Sequence, residues 1–300
     1  MAYGQLGDTS KGLEYLEEAL KMRQELYQGN HPDIAASFTN IGIACGQLGY
    51  ISKGLKYFEL ALKMYQVLYQ GNHPDIANSL NNIGLACGQL GYISKELKYL
   101  EEALEMKQQL YPSNHPDIAG SFNNVGVAYD ELGYISKGLK YKEVSLKMYK
   151  AIYRGNHSST ADSLTNVGVT YDKLGNTTKA LEYFELALKM YQALYKNDRP
   201  CIAGSLNNVG LAYDKLGHIS KGLKYKEEAL KIYQRLYRGN YPCIASSFSS
   251  IALSYKKSED INKAIELCKQ AYLMHGQTLG LEHPNTKFIR SYLKTVTQNL

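Results

Sequence analysis

The sequence has few cysteines and no long apolar run. Only five of its 300 residues are cysteine, and no two of them form a Cys-x-x-Cys pair. Without a disulfide framework, the chain is typical of a reducing compartment, and we expect the cytoplasm. The first residues contain no apolar signal segment, and no stretch approaches the roughly 20 apolar residues of a membrane helix. We therefore expect no membrane insertion.

Motifs that mark common enzyme and cofactor sites are also missing. The sequence contains no phosphate-binding loop GxxxxGK[ST], no GxSxG nucleophile turn and no HExxH zinc motif. A histidine recurs at His31, His73, His115 and His157, but no second histidine or cysteine accompanies it closely in sequence. We expect these histidines to cap or pack helix joints. The sequence predicts a protein that is not an enzyme and has no cofactor, metal site or small-molecule substrate.

The sequence does contain a unit that recurs every 42 residues, and one copy runs from Ser205 to Tyr237. Two apolar stripes at helical spacing follow each other within it. They consist of Leu206, Val209, Gly210 and Tyr213, and then of Leu223, Ala229, Leu230 and Tyr233. The intervening Leu216-Gly217 is typical of a helix end. Each unit is therefore predicted to be a helical hairpin.

This unit resembles the tetratricopeptide repeat, and its 42-residue period with an Asn-His-Pro linker is similar to the variant in kinesin light chains. The residues that match the family pattern are Leu206, Val209, Gly210, Tyr213, Gly222 and Ala229. Lys226 departs from it, because the family prefers an aromatic residue there. The resemblance implies an all-α fold, a right-handed superhelical solenoid of antiparallel helix pairs. It also implies a non-catalytic protein–protein interaction scaffold whose first helices line a concave groove.

The repeats predict a single array over residues 1–300, because one helical hairpin cannot bury its apolar face alone. The array begins in mid-repeat, where Leu6-Gly7 aligns with Leu216-Gly217. A closing helix carries an apolar stripe that includes Phe288, Ile289 and Val296. The predicted parts are a partial repeat 1–30, six full repeats 31–72, 73–114, 115–156, 157–198, 199–240 and 241–282, and a capping helix 283–300.

Asparagines recur on the predicted first helices, and they are the leading candidates for a binding site. Each amide has a donor and an acceptor and can bind the backbone of an extended or short helical peptide segment without demanding its sequence. Some of these asparagines could instead hold the neighbouring helix. The candidates are Asn40, Asn81, Asn82, Asn123, Asn124, Asn166, Asn207 and Asn208.

Charged residues follow on the same predicted helical face, one and two turns further on. The first repeats have neutral residues there, at Gly46-Gln47 and Gly88-Gln89. We expect the later charges to orient a charged peptide and to raise its association rate more than its affinity. The candidate charged contacts are Asp130, Asp172, Asp214, Lys173 and Lys215.

A net charge of +6 raises the alternative of nucleic-acid binding. One lysine recurs per repeat near the start of each second helix, where a solvated outer face is the simpler interpretation. The recurring lysines are Lys11, Lys53, Lys95, Lys137, Lys179, Lys221 and Lys263. A further alternative is that the chain is the sensor or autoinhibitory repeat array of a larger signalling NTPase. The partner is expected to be a protein or peptide.

Glu96 breaks the repeat at a position of close helix approach. The other copies carry only glycine or alanine at this position, for example Gly54, Gly138 and Ala180. A carboxylate there must bend outward or lose water, at a cost of about 1–3 kcal/mol. We therefore expect Glu96→Ala to stabilise the protein.

Overall fold

The computed structural model describes residues 2–297, with side chains over residues 10–294, and within that part it contains fourteen α-helices and no strand. Met1 and residues 298–300 of the predicted partial repeat and cap lie outside it. The first seven helices are α1 Ala2–Leu26, α2 Pro32–Gln47, α3 Ile51–Leu68, α4 Pro74–Gln89, α5 Ile93–Leu110, α6 Pro116–Glu131 and α7 Ile135–Ile152. The next seven are α8 Ser158–Lys173, α9 Thr177–Leu194, α10 Pro200–Lys215, α11 Ile219–Leu236, α12 Pro242–Lys257, α13 Ile261–Leu279 and α14 Pro284–Thr297.

The helices group into two compact units, residues 1–154 and 155–300. Within each unit every helix packs against the next one in sequence. Each repeat is therefore a hairpin, and between repeats of the same unit the second helix of one also contacts the next. The first helices of full repeats have 16 residues and the second helices have 18 or 19. Among the described residues, no helix combines the length and apolarity needed to cross a membrane.

The joints between repeats are set by local chemistry. In the second full repeat, His73 lies at the N-cap of α4, and its Nδ1 accepts a hydrogen bond from the Asp75 backbone N–H at 3.3 Å. Pro74 occupies the first turn, where its missing N–H costs nothing, and the Asp75 carboxylate favours the helix dipole. The imidazole also stacks on Tyr69 with ring centroids 3.5 Å apart. The expected capping and packing role of the linker histidines is confirmed.

The turn within each hairpin depends on a glycine. Gly49 has φ of +80° directly after α2, a conformation that only glycine adopts without strain. Its N–H donates to the Gly46 carbonyl at 3.0 Å, and the next N–H, of Tyr50, donates to the Cys45 carbonyl at 2.8 Å. These bonds satisfy carbonyls at the end of α2 and turn the chain into α3 within three residues.

The core of each unit alternates small and large side chains. Ala35 and Ala61 are fully buried and small enough for the helices to approach closely, and the larger Ile41 is buried in the same cluster. Gly42 faces the Phe58 ring so closely that an added Cβ would overlap it. Burial of each large aliphatic side chain contributes about 1.5–3 kcal/mol, which explains why hairpins are stable only when stacked.

Both ends of the chain differ from the sequence prediction. Helix α1 continues through Leu6-Gly7, where alignment predicted a hairpin turn. Hydrogen bonds along α1 satisfy the backbone of this segment. At the other end Ile289 is buried as the predicted apolar stripe requires, but Phe288 is 57% exposed, so its assignment to that stripe was wrong. The Val296 side chain lies outside the described residues.

Candidate functional site

The recurring asparagines lie on the first helices of the repeats, as predicted. Asn40 is exposed, and the others are half-buried. We call this set the amide face. In the first unit it comprises Asn40 on α2, Asn81 and Asn82 on α4, and Asn123 and Asn124 on α6. In the second unit it comprises Asn166 on α8 and Asn207 and Asn208 on α10.

Part of the amide face joins neighbouring repeats. The Asn124 side chain donates from Nδ2 to Oδ1 of Asn81 at 3.0 Å, which links α6 to α4. The interpretation that some asparagines hold the adjacent helix therefore applies to this pair. Each of these two amides still has a second polar atom that a bound peptide can use.

Asp130 and Asp214, two of the predicted charged contacts, are buried. We therefore no longer assign them to the peptide-binding site. The Lys142 ammonium donates to Asp130 at 2.6 Å, and the two side chains are only 4% and 1% exposed. Lys226 donates to Asp214 at the same distance, with 1% and 4% exposure. Both carboxylates point between the helices of their own hairpin because a lysine from the second helix neutralises them there.

The Lys226–Asp214 pair extends into the next repeat. The Lys226 Nζ also donates to Ser254 Oγ at 2.8 Å and to the Ser250 carbonyl at 3.2 Å, both on α12. Burial lowers the pKa of Lys226, and the bond to Asp214 partly offsets that effect. The network thus connects three helices through one buried ammonium.

Asp172 and Lys215 are at the surface but are paired with each other. Lys215 donates to Asp172 at 2.6 Å between α10 and α8, and their side chains are 51% and 24% exposed. The second helix opposite Asp172 carries Phe184 in place of a lysine, so this carboxylate has no buried partner of that kind and stays at the surface. Lys173 is also exposed. The charges of the three predicted aspartate contacts are therefore largely neutralised.

The buried pairs have a sequence signal that spans both helices of a hairpin and is not visible on the face of one helix. A lysine follows the aspartate by twelve residues in both cases, at Asp130/Lys142 and Asp214/Lys226, whereas Asp172 is followed by Phe184. The mismatch of Lys226 with the family pattern marks the same feature. Reading the two helices of a hairpin together would have found these pairs.

In the second full repeat, Glu96 of the second helix α5 occupies the space that Asp130 and Asp214 occupy from the first helices of their hairpins. Its side chain is 4% exposed and packs over Gly88, and its Oε2 is buried without a hydrogen-bond partner among the described residues. Burial, with a smaller contribution from the Glu131 charge, raises the pKa of Glu96 to about 7. The structure thus supplies the desolvation that the sequence argument predicted.

The first full repeat leaves this space open. Gly46 on α2 faces Gly54 on α3, and a pocket of about 420 Å³ lies there, with the buried Phe58 also in its wall. Ile43 and Leu85, which are 45% and 39% exposed, also line it. We call this the glycine pocket. It adjoins the amide face at Asn82.

The recurring lysines contact tyrosines of their own hairpins. Lys221 donates to the Tyr213 hydroxyl at 2.6 Å, and Tyr213 donates to Glu185 of the preceding repeat, also at 2.6 Å. The Lys137 Nζ lies 4.1 Å from the Tyr129 ring centroid in the same arrangement. Most of these lysines are exposed, as predicted, but the ammonium groups of Lys137, Lys179, Lys221 and Lys263 contact a tyrosine of the first helix in their own hairpin.

No group of three or more potential metal ligands occurs within the part of the chain that the structure describes.

Sequence patterns described as tetratricopeptide repeat match most of the chain. One matches residues 51–109, 117–193, 159–235 and 201–274, and a second matches residues 1–33. A comparison with curated proteins finds no match. Repeats of this kind generally mediate protein–protein interactions and typically form non-catalytic scaffolds.

Solved repeat proteins share the fold. The TPR-like repeats assigned to a kinesin light chain of Podosopora anserina align with a TM-score of 0.60 at 20% identity, over 69% of this chain and 99% of that one. BtubC from P. vanneervenii aligns with a TM-score of 0.62 at 17% identity, over 80% and 95% of the two chains.

A signal transduction ATPase with numerous domains and a tetratricopeptide repeat sensor, from Pyrococcus horikoshii, is also similar. It aligns with a TM-score of 0.66 at 20% identity, over 88% of this chain and 38% of that one. At these identities the similarity concerns the fold. Together with the sequence matches over more than half of its length, the helical hairpins establish that this chain belongs to the tetratricopeptide repeat family.

Proposed function

We propose that this protein is a non-catalytic scaffold that binds an extended or short helical segment of a partner protein on its amide face. The observation that carries the proposal is the recurrence of half-buried amides beside exposed apolar side chains on the first helices. Ile43, Leu85 and Leu211 are 38–45% exposed, one turn beyond Asn40, Asn82 and Asn208. Such a surface offers backbone hydrogen bonds and apolar contact together.

Charge has a smaller role in this proposal than the sequence suggested. Asp130 and Asp214 are buried in ion pairs, and Asp172 pairs with Lys215. Lys256 and Lys257 are exposed cations in the second unit. The partner segment is therefore selected mainly by its backbone and apolar side chains, and the cations favour an acidic residue beside the second unit. Five cysteines without disulfides support placing this interaction in the cytoplasm.

A second candidate function is that of a sensor array in a larger signalling NTPase. The similarity to the repeat sensor of the Pyrococcus horikoshii ATPase favours it, and this chain covers 38% of that protein. A transcript that joins these repeats in frame to a segment with a GxxxxGK[ST] loop would support this role. A native transcript limited to the repeats would exclude it.

Binding of nucleic acid through the outer lysines is disfavoured. Lys137, Lys179 and Lys221 have their ammonium groups 4.0–4.2 Å from tyrosine ring centroids, so a phosphate must compete with these contacts. A steep loss of affinity with added salt is the signature of that alternative.

A peptide-display selection on the full-length chain tests the proposal. Selected peptides are measured by fluorescence anisotropy against the wild type and the triple variant Asn82→Ala, Asn207→Ala, Asn208→Ala. Asn81 is left intact because its bond to Asn124 joins two repeats. Each lost hydrogen bond costs about 0.5–1.5 kcal/mol, so affinity should fall at least about tenfold.

The control triple replaces Lys56, Lys98 and Lys224 with alanine, because these lysines are exposed on second helices. The proposal expects unchanged peptide affinity in this control and helical circular dichroism spectra like that of the wild type in both variants. Absence of any selected peptide, or equal affinity of the asparagine triple and the wild type, would refute the proposal. Loss of binding only in the lysine triple would assign binding to the outer face instead.

A further inference from the structure

The glycine pocket lies at a position of the repeat that side chains fill in three other copies. In the second full repeat the Glu96 side chain occupies the space over Gly88. In the third, the Asp130 carboxylate packs over Gly138 and pairs with Lys142. The fifth repeats the third arrangement with Asp214, Gly222 and Lys226.

Only the first full repeat has glycine at both positions. The residues at the two positions are Gly46/Gly54, Gly88/Glu96, Asp130/Gly138, Asp172/Ala180, Asp214/Gly222 and Lys256/Ala264 in the six full repeats. No lining residue of the glycine pocket is charged. The pocket is thus the neutral counterpart of a space that carboxylates fill in three other repeats.

The chemistry of the lining selects the occupant. Ile43, Phe58 and Leu85 form apolar walls, and the amides of Gln47, Asn82 and Gln89 also line the pocket. A charged side chain would lose water without meeting a counter-charge, whereas an apolar side chain would lose only unfavourable contact with water. The volume of about 420 Å³ is within the usual range of roughly 300–1,000 Å³ for ligand pockets.

We propose that the glycine pocket receives one large apolar side chain, leucine, methionine or phenylalanine, from the bound peptide, while the amides of Gln47, Asn82 and Gln89 bind the peptide backbone on either side. This inference rests on the proposed function and specifies its partner as a segment with an apolar anchor residue. The anchor fixes the register of the peptide on the amide face of the first unit. Backbone-directed amides alone would not fix it.

Two variants close the pocket with side chains that other repeats already accommodate. Gly54→Glu copies the Gly88/Glu96 arrangement, and the double change Gly46→Asp, Phe58→Lys copies Asp130/Gly138 together with the paired Lys142. A Cβ added at Gly46 meets no atom within 4 Å, so this second variant closes the pocket without a backbone clash. The reciprocal change, Glu96→Gly, opens the equivalent space in the next repeat and serves as a gain-of-site variant.

The pocket is first tested without any peptide. N-acetyl-leucinamide is titrated into the full-length protein with ¹³C-labelled isoleucine and leucine methyl groups, and the Ile43 and Leu85 resonances are followed. They should shift in a saturable manner in the wild type and should not shift in Gly54→Glu or in the double variant Gly46→Asp, Phe58→Lys. N-acetyl-aspartamide should produce no shift. Equal shifts with both probes, shifts that persist in both closed variants, or no shift with N-acetyl-leucinamide would overturn the inference.

The display-selected peptides provide a second test of the pocket. They should share one apolar position, and alanine at that position should weaken binding about 10- to 150-fold, the effect expected for burying one large apolar side chain. Gly54→Glu and the double variant Gly46→Asp, Phe58→Lys should weaken the same peptides to a similar extent. Peptides that depend on Asn82, Asn207 and Asn208 but bind both closed variants with wild-type affinity would refute the pocket and leave the proposed function standing.

Discussion

Glu96 offers a test of the packing argument that does not depend on any partner. Its carboxyl is buried between α4 and α5, over Gly88, at a position where the other copies have glycine or alanine. Glu96→Ala removes the desolvated carboxyl and installs the residue found at Ala180, which is fully buried in the same place of its own repeat. The space left behind should resemble the glycine pocket, which is open to solvent, so no closed cavity is expected.

The expected change in stability follows from the pKa of Glu96. Burial raises the pKa of Glu96 from 4.5 to about 7, so the ionised form is disfavoured in the folded protein. The resulting destabilisation is small below the unfolded pKa, grows as the pH rises between the two values, and is complete above the folded pKa. At about 1.4 kcal/mol per unit, the cost is about 3 kcal/mol at pH 8 and below about 1 kcal/mol at pH 5.

Urea denaturation followed by circular dichroism at several pH values measures this effect. The Glu96→Ala variant should be more stable than the wild type by about 2–3 kcal/mol at pH 8 and by less at pH 5. Glu105→Ala is the matched control, because Glu105 lies on the same helix and is exposed. Its difference from the wild type should not change with pH.

A stability difference between Glu96→Ala and the wild type that stays constant from pH 5 to pH 8 would refute the desolvation argument. A less stable Ala variant at pH 8 would also contradict the assignment of this position to the close helix contact. In either case the carboxyl would have to be solvated or paired in solution.

Two further predictions concern bonds that join repeats. Lys226→Ala leaves the Asp214 carboxylate buried and unpaired and should lower the free energy of unfolding, measured by urea denaturation, by about 3–5 kcal/mol. The double change Asp214→Gly, Lys226→Phe copies the natural Gly46/Phe58 pair and should leave that stability unchanged or raise it. If the double variant loses as much stability as Lys226→Ala, the pair is not interchangeable with apolar packing. Tyr213→Phe removes the hydroxyl that joins Lys221 to Glu185 and should lower the stability by about 0.5–1.5 kcal/mol, with no loss expected if the hydroxyl is solvated instead.

The amide face was predictable because it repeats on one helical face. Asn40, Asn82 and Asn208 lie where the 3.6-residue period placed them. The sequence indicated that some asparagines could hold a neighbouring helix, but it did not identify Asn81 and Asn124 as that pair. The glycine pocket was not predicted, because a pair of glycines in two helices defines a cavity only once the distance between those helices is known.

The sequence by itself determined the hairpins and their ends. Proline and histidine at the helix starts and glycine at the turns act through bonds within a few residues, so His73, Pro74 and Gly49 specify their joints without help from the rest of the chain. Which carboxylates reach solvent depends on packing between helices, and no single helix of the sequence indicates it. Asp130 and Asp172 occupy equivalent positions, yet the first is buried against Lys142 and the second stays at the surface opposite Phe184. The free energy of a carboxylate between helices depends on the side chain that faces it across the interface, and that partner lies on another helix.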